Sequence, residues 1–162
     1  MKKLTLELLI LTTITIAGFV CVAAQDKTQE ANIYLLKTGE ENAKYPLGLV
    51  AVKRQVDRRS PLRSALEILT DGATVEEAEK QNLASSTWGI KLVSVRIKNR
   101  TAYTYFTMPE EARFSGDGAP FIFEEAVKKT VMQFRGVKRV VVCLNGILDF
   151  GSESEEPPGR CR

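Results

Sequence analysis

The apolar patterning of this 162-residue chain predicts a single α+β domain, with elements in the order β-β-α-(α)-β-β-α-β and helices packed on one face of a mixed sheet. Three observations carry that reading. A hairpin signature spans residues 91–107, a helical stripe runs through Leu62, Ala65, Leu66 and Leu69, and a second stripe runs through Phe123, Val127, Val131 and Phe134. Some 125 ordered residues are enough to bury a core without staples.

The elements follow in order. NIYLL (32–36) is rich in strand formers and opens the fold, and a loop with Gly39 and Pro46 leads to a second strand, LGLVAVKRQV (47–56). Ser60-Pro61 marks a helix start, serine as the cap and proline at the first helical position, and Gly72 marks its end. Thr74 and Glu77 stand at capping-box spacing before a short second helix anchored by Leu83. KLVSVRIK (91–98) and AYTYFT (102–107), joined at Asn99-Arg100, form the hairpin expected at the centre of the sheet. The loop RFSGDGAP (113–120) precedes the last helix, whose first turn is expected to hold Glu124 and Glu125 and which stops at Gly136. VKRVVVCLNG (137–146) is the closing strand.

Residues 1–24 have the form of an export leader: Lys2 and Lys3, an apolar run from Leu8 to Val22 interrupted by three threonines, and small residues before Gln25. Cleavage after Ala24 is the expected fate, with retention as an anchor or lipidation at Cys21 as the others; each places the domain outside the cytoplasm, and only a retained leader would involve the membrane. Residues 25–31 then form a short linker, 32–150 the domain, and 151–162 a flexible acidic tail containing Pro157 and Pro158. Cys143, in an apolar strand, and Cys161, in the tail, remain after leader removal. In an oxidising compartment two readings stay open: a disulfide between them, or a buried small side chain plus an exposed thiol.

Composition narrows the chemistry. Without Lys2, Lys3 and Glu7 the chain keeps 21 basic and 19 acidic residues, a balance that argues against nucleic-acid binding. The absence of histidine removes the usual base for a serine or cysteine nucleophile and leaves carboxylates as the main metal ligands, so no catalytic residue, metal or cofactor is expected. A carboxylate pair drawn from Glu110, Glu111, Asp117, Glu124 and Glu125 acting on a glycan is the minor catalytic reading, and a calcium site at Asp117 is a minor metal one. The leading candidates for contact with an anionic ligand or a partner are Lys53, Arg54, Arg58, Arg59 and Arg63, where a strand gives way to a helix, together with Trp88; Lys128, Lys129, Arg135, Lys138 and Arg139 form a second basic group. Against these stand plainer readings, a solvated polar face for the cations and packing at the sheet end for Trp88.

Taken in sequence, the strand "LV.V.R.V", the helix and cap "AL..L..G.T..E", the hairpin "G..L.SV.I....A" and the closing "QF.GV..V.....NG" resemble the GerMN domain of sporulation and germination proteins, over Asn32 to Ile147. The resemblance implies an extracytoplasmic module related to the ring-building motif, without enzyme activity or cofactor. It implies a role in the bacterial cell envelope and, through the ring-building kinship, self-assembly into rings or filaments as a homo-oligomer; the basic groups themselves point instead to an envelope protein, an anionic envelope polymer or a lipid surface as partner. The leader lacks the lipobox of many members and the chain holds one such domain where many hold two, which points to general envelope work rather than a direct sporulation role.

Overall fold

Residues 27–38, 48–84, 88–114, 116, 118–148, 150 and 159–161 are described by the computed structural model. The leader, loop residues 39–47, Asp117 and tail residues 151–158 lie outside them.

The first two strands form an antiparallel pair, β1 (Thr28–Lys37) and β2 (Leu49–Asp57), in register from Thr28↔Asp57 to Leu36↔Leu49. β1 begins four residues before the NIYLL run. Gln29 and Glu30 are weak strand formers by composition, but each has a β2 partner, and pairing overrides propensity.

Helix α1 (Pro61–Asp71) buries Leu62, Ala65, Leu66 and Leu69, the stripe read from the sequence. Ser60 occupies the cap position without a side-chain cap bond; the hydroxyl of Ser64 instead accepts from the Asp57 backbone N–H at 3.1 Å, tying the helix to the end of β2. Gly72 takes φ +79°, a backbone state that side-chain-bearing residues resist. Helix α2 (Val75–Gln81) opens with the full capping box: the Thr74 hydroxyl accepts from the Glu77 N–H, and the Glu77 carboxylate accepts from the Thr74 N–H. Leu83 lies beyond this helix in β3 (Leu83–Ala84), which pairs with the end of β1.

The hairpin is β4 (Lys91–Lys98) and β5 (Thr101–Thr107), with Asn99 and Arg100 both at positive φ, +50° and +61°, as a two-residue primed turn requires. Helix α3 (Ala119–Met132) then crosses back to β6 (Arg139–Leu144), parallel to β5, and an Asn145-Gly146 turn leads into β7 (Ile147–Leu148).

The α+β class and the expected order of elements stand, with the short strands β3 and β7 added and with β1 occupying from Thr28 on the stretch 25–31 expected as a linker; three further details differ. First, the strands divide into two sheets, β2-β1-β3 and the mixed β4-β5-β6-β7, instead of one. Second, β5 is central but β4 is an edge strand. A bulge between Leu92 and Ser94 makes Val93 the extra residue, so Leu92 joins Val95 against the core while Val93 stays 56% exposed. Strict alternation put Leu92 and Val95 on opposite faces; the inserted residue reverses the parity. Third, α3 starts at Ala119, so Glu124 and Glu125 lie beyond its first turn.

Side chains of α3 and of its C-cap residue, Gln133, explain why the sheets remain separate. On the side away from β2, β1 is paired with β3 only at Leu36 and Lys37, and its earlier residues would otherwise present bare backbone groups. There the Gln133 amide accepts from the Asn32 N–H at 2.8 Å and donates to its carbonyl at 2.6 Å, and the Thr130 hydroxyl accepts from the Tyr34 N–H at 3.2 Å. The helix thus serves as the neighbour that another strand would have been. Its opposite flank packs on the second sheet, with Phe123 edge-on to Phe106 at 5.2 Å between ring centroids.

Because Thr130 is fully buried, Thr130→Val keeps the shape and orphans the Tyr34 N–H. The expected cost is about 1–3 kcal/mol of stability, read as a lower urea midpoint at an unchanged slope.

Candidate functional site

Three of the five cations singled out between β2 and α1 are engaged. Lys53 pairs with Glu30 across the β1–β2 ladder at 2.9 Å; the hydrogen bond and the carboxylate charge raise its pKa. Arg63 pairs with Glu67 one helical turn on, at 2.8 Å. Arg54 points inward, its guanidinium forked onto both carboxylate oxygens of Glu77, with side-chain exposures of 21% and 10%. Arg58 and Arg59 are exposed in the turn. The corner therefore does not gather its cations onto one surface: Lys53 and Arg54 are adjacent in a strand and face opposite ways.

Glu77 is the most perturbed of these groups. The Arg54 hydrogen bonds pull its pKa down to about 2 from 4.5, against the opposing effect of burial and with help from Thr74. Trp88 is half-buried and meets Phe114 edge-on at 5.0 Å; Phe114 stacks on Phe150, which continues to Phe123, so the indole is the outer end of an aromatic chain entering the core.

The carboxylates of the minor catalytic reading are also placed. Glu124, buried, and Glu125 both bind the Lys128 ammonium, at 2.8 and 3.0 Å. Burial pulls the Lys128 pKa down, but the two carboxylates outweigh it and the net shift is upward. Glu110 and Glu111 are exposed, and Asp117 lies outside the described residues. Among the described residues no cluster of three acidic or cysteine side chains is placed to hold a metal, and no helix is long and apolar enough to cross a membrane.

A different surface brings functional side chains together. Residues paired across the second sheet share a face, and the face turned away from the core carries three rows: Lys98–Thr101–Arg139, Arg96–Tyr103–Val141 and Ser94–Tyr105–Cys143. Arg96 lies over both tyrosine rings, 5.9 and 5.3 Å from their centroids, and donates to the Tyr105 hydroxyl at 2.8 Å. Two depressions adjoin on this face and share Tyr103 and Val141. One, about 430 Å³, is rimmed by Lys138 and Arg139 and closed at the β6 edge by Lys128 and Met132 of α3. The other, about 260 Å³, lies between the tyrosines, Leu148, Arg160 and the Cys143–Cys161 bridge.

That bridge exists in the structure, with the two Cα atoms 6.2 Å apart. Gly159 accepts from the Leu148 N–H at 2.7 Å and Cys161 donates to the Gly146 carbonyl at 3.0 Å. Residues 159–161 of the segment expected to be loose are thus held beside β7.

The second basic group of the sequence marks part of this face, since Lys128, Lys138 and Arg139 line its larger depression; the sequence carries a further sign that neither grouping used. From Lys91 to Thr107, and again from Arg135 to Leu148, there is no aspartate or glutamate, while lysine and arginine recur in both stretches. Tyr103 and Tyr105 stand two apart in a strand and so share a side.

These features define a small two-sheet α+β module with one sheet face covered by helices and the other presenting cations, tyrosines and two adjoining depressions. By fold it is a GerMN-like domain. The structure aligns with the tandem GerMN domains of the sporulation protein GerM from Bacillus subtilis at a TM-score of 0.55 and 19% identity, over 88% of this chain and 49% of that one. The chain therefore spans about half the length of that tandem structure. It aligns with the first GerMN domain of the same protein at a TM-score of 0.54 and 22% identity, over 74% of this chain and 84% of that one. No family model matches the sequence, and neither does a curated protein.

Since Glu77 holds its charge to a lower pH when folded than the 4.5 of an unperturbed glutamate, its contribution is complete above pH 4.5 and fades as pH falls through 2. Glu77→Gln is expected to flatten the dependence of stability on pH in that window, and to lower stability at pH 7 by about 2–4 kcal/mol, both measurable by urea titration across a pH series.

Proposed function

We propose that the chain is an exported, non-catalytic binding module of the bacterial cell envelope, and that the outer face of its second sheet binds an anionic envelope polymer. The observation that carries this reading is the charge of that face: Arg96, Lys98, Lys138, Arg139 and Arg160 lie on or beside it, and the strands that form it contain no acidic residue. The near-neutral total charge does not oppose the reading, because acids on other elements balance it, Glu30 on β1, Glu67 on α1, and Glu76, Glu77 and Glu79 on α2, while the carboxylates beside the larger depression, Glu124 and Glu125, are spent on Lys128; Asp149, Glu153, Glu155 and Glu156 lie outside the described residues. A one-signed surface attracts a polyanion locally whatever the net charge. The leader-like residues 1–24 support export, and the GerMN-like fold supports an envelope setting and a role without chemistry. The ion pairs made by Glu124 and Glu125 support a structural use of those carboxylates rather than acid–base work.

Self-assembly is the second reading, and the specific observation in its favour is the edge strand β4. Val93 and Ile97 on it are 56% and 54% exposed, and an edge that no strand among the described residues pairs with offers a place for another copy.

With residues 25–162, retention on an immobilised polyanionic glycan is expected at low salt and should weaken as salt screens the face. Reversing two charges together, Lys138→Glu with Arg139→Glu, should lower affinity about tenfold or more, whereas Arg58→Glu with Arg59→Glu should change it far less; equal losses from both pairs would remove the assignment to this face. Sedimentation velocity over a wide concentration range should show a monomer, and discrete oligomers abolished by Ile97→Lys would establish the second reading instead.

A further inference from the structure

The smaller depression differs in character from the rest of the basic face. Its floor and walls are apolar and aromatic, from Val141, Leu148 and the rings of Tyr103 and Tyr105, with one cation, Arg160, at the side. A bare polyanion gains nothing from such walls. A sugar unit does, because the C–H face of a pyranose ring packs on apolar and aromatic surface while an acidic substituent on it meets a guanidinium. Arg96 lies over the two tyrosine rings from the β4 side, and Val141 on β6 stands on the other side of Tyr103, so the rings are braced before any ligand arrives.

Arg160 and Cys161, which complete the wall, come from a described segment of three residues. That segment is held by two backbone hydrogen bonds to the β6–β7 turn region and by the Cys143–Cys161 bridge. Two exposed hydrogen bonds do not offset the conformational entropy lost in ordering three residues, so the bridge decides whether the wall stands. Cys143, buried in β6, supplies the fixed end.

We infer that this depression is a subsite for one acidic sugar unit of the polymer, completed by the Cys143–Cys161 disulfide, which holds Arg160 in its wall. The inference rests on the binding face proposed above and deepens it: the larger, cation-rimmed depression supplies general attraction, and the disulfide-built one supplies preference for a saccharide over other anions.

The test compares two probes, an oligogalacturonate and an inorganic polyphosphate of matched charge number, titrated onto oxidised residues 25–162 by calorimetry at fixed salt. The oligosaccharide is expected to bind at least tenfold more tightly. Cys161→Ser, or reduction of the native chain, should erase that preference and leave polyphosphate binding within about twofold; Arg160→Gln, which keeps the bridge, should erase it as well, and circular dichroism would show all forms folded. Equal affinity for the two probes in the oxidised protein overturns the subsite while leaving the basic binding face intact, as does a preference that survives both substitutions. Failure of both probes to bind overturns the face itself and the subsite with it.

Discussion

Helix α3 lies between two sheets that share no strand pair, and the architecture depends on the way it satisfies both. Toward β1 it offers polar groups, Thr130 and Gln133, in register with the N–H of Tyr34 and both backbone groups of Asn32. Toward the second sheet it offers Phe123 against Phe106. An edge strand facing an apolar helix flank would carry orphaned donors; an edge facing hydroxyl and amide groups does not. Helix α1 contributes the complementary apolar surface, since Leu62, Ala65, Leu66 and Leu69 are all buried, each leucine contributing about 1.5–3 kcal/mol of transfer free energy if fully withdrawn from water.

The Arg54–Glu77 pair belongs to the same logic. Glu77 serves twice, as the capping-box residue of α2 and as the partner of an arginine on β2, so one side chain fixes both where the helix starts and where it sits. The opposing costs are large: either charge alone in this position would be poorly solvated. An arginine that looked in sequence like part of a basic binding corner is, for this reason, internal structure. Its neighbour Lys53 shows the converse, an exposed cross-strand pair of the kind that contributes little.

With α1 and α3 occupied by the core, no helix among the described residues lies over the outer face of the second sheet. The sequence supplied that face with cations on β4 and β6 and tyrosines on β5, and strand pairing brought them into rows. Residues as distant as Arg96 and Val141 become neighbours through Tyr103. The disulfide adds Arg160, remote in sequence from all of them.

What the sequence determined by itself was the local content: the α1 stripe, the capping box at Thr74 and Glu77, the primed turn at Asn99-Arg100, the order of elements, and a pattern close enough to the GerMN domain for the fold to be anticipated. Each depends on residues within a turn or two of one another, where spacing is a direct statement of geometry. The tertiary structure alone decided which strands share a sheet, where the bulge at Val93 reverses the faces of β4, which cations are spent on internal partners, and which remain on a surface. Those outcomes depend on pairings across tens of residues, as between Arg54 and Glu77 or Asn32 and Gln133, and local periodicity carries no record of who the distant partner is.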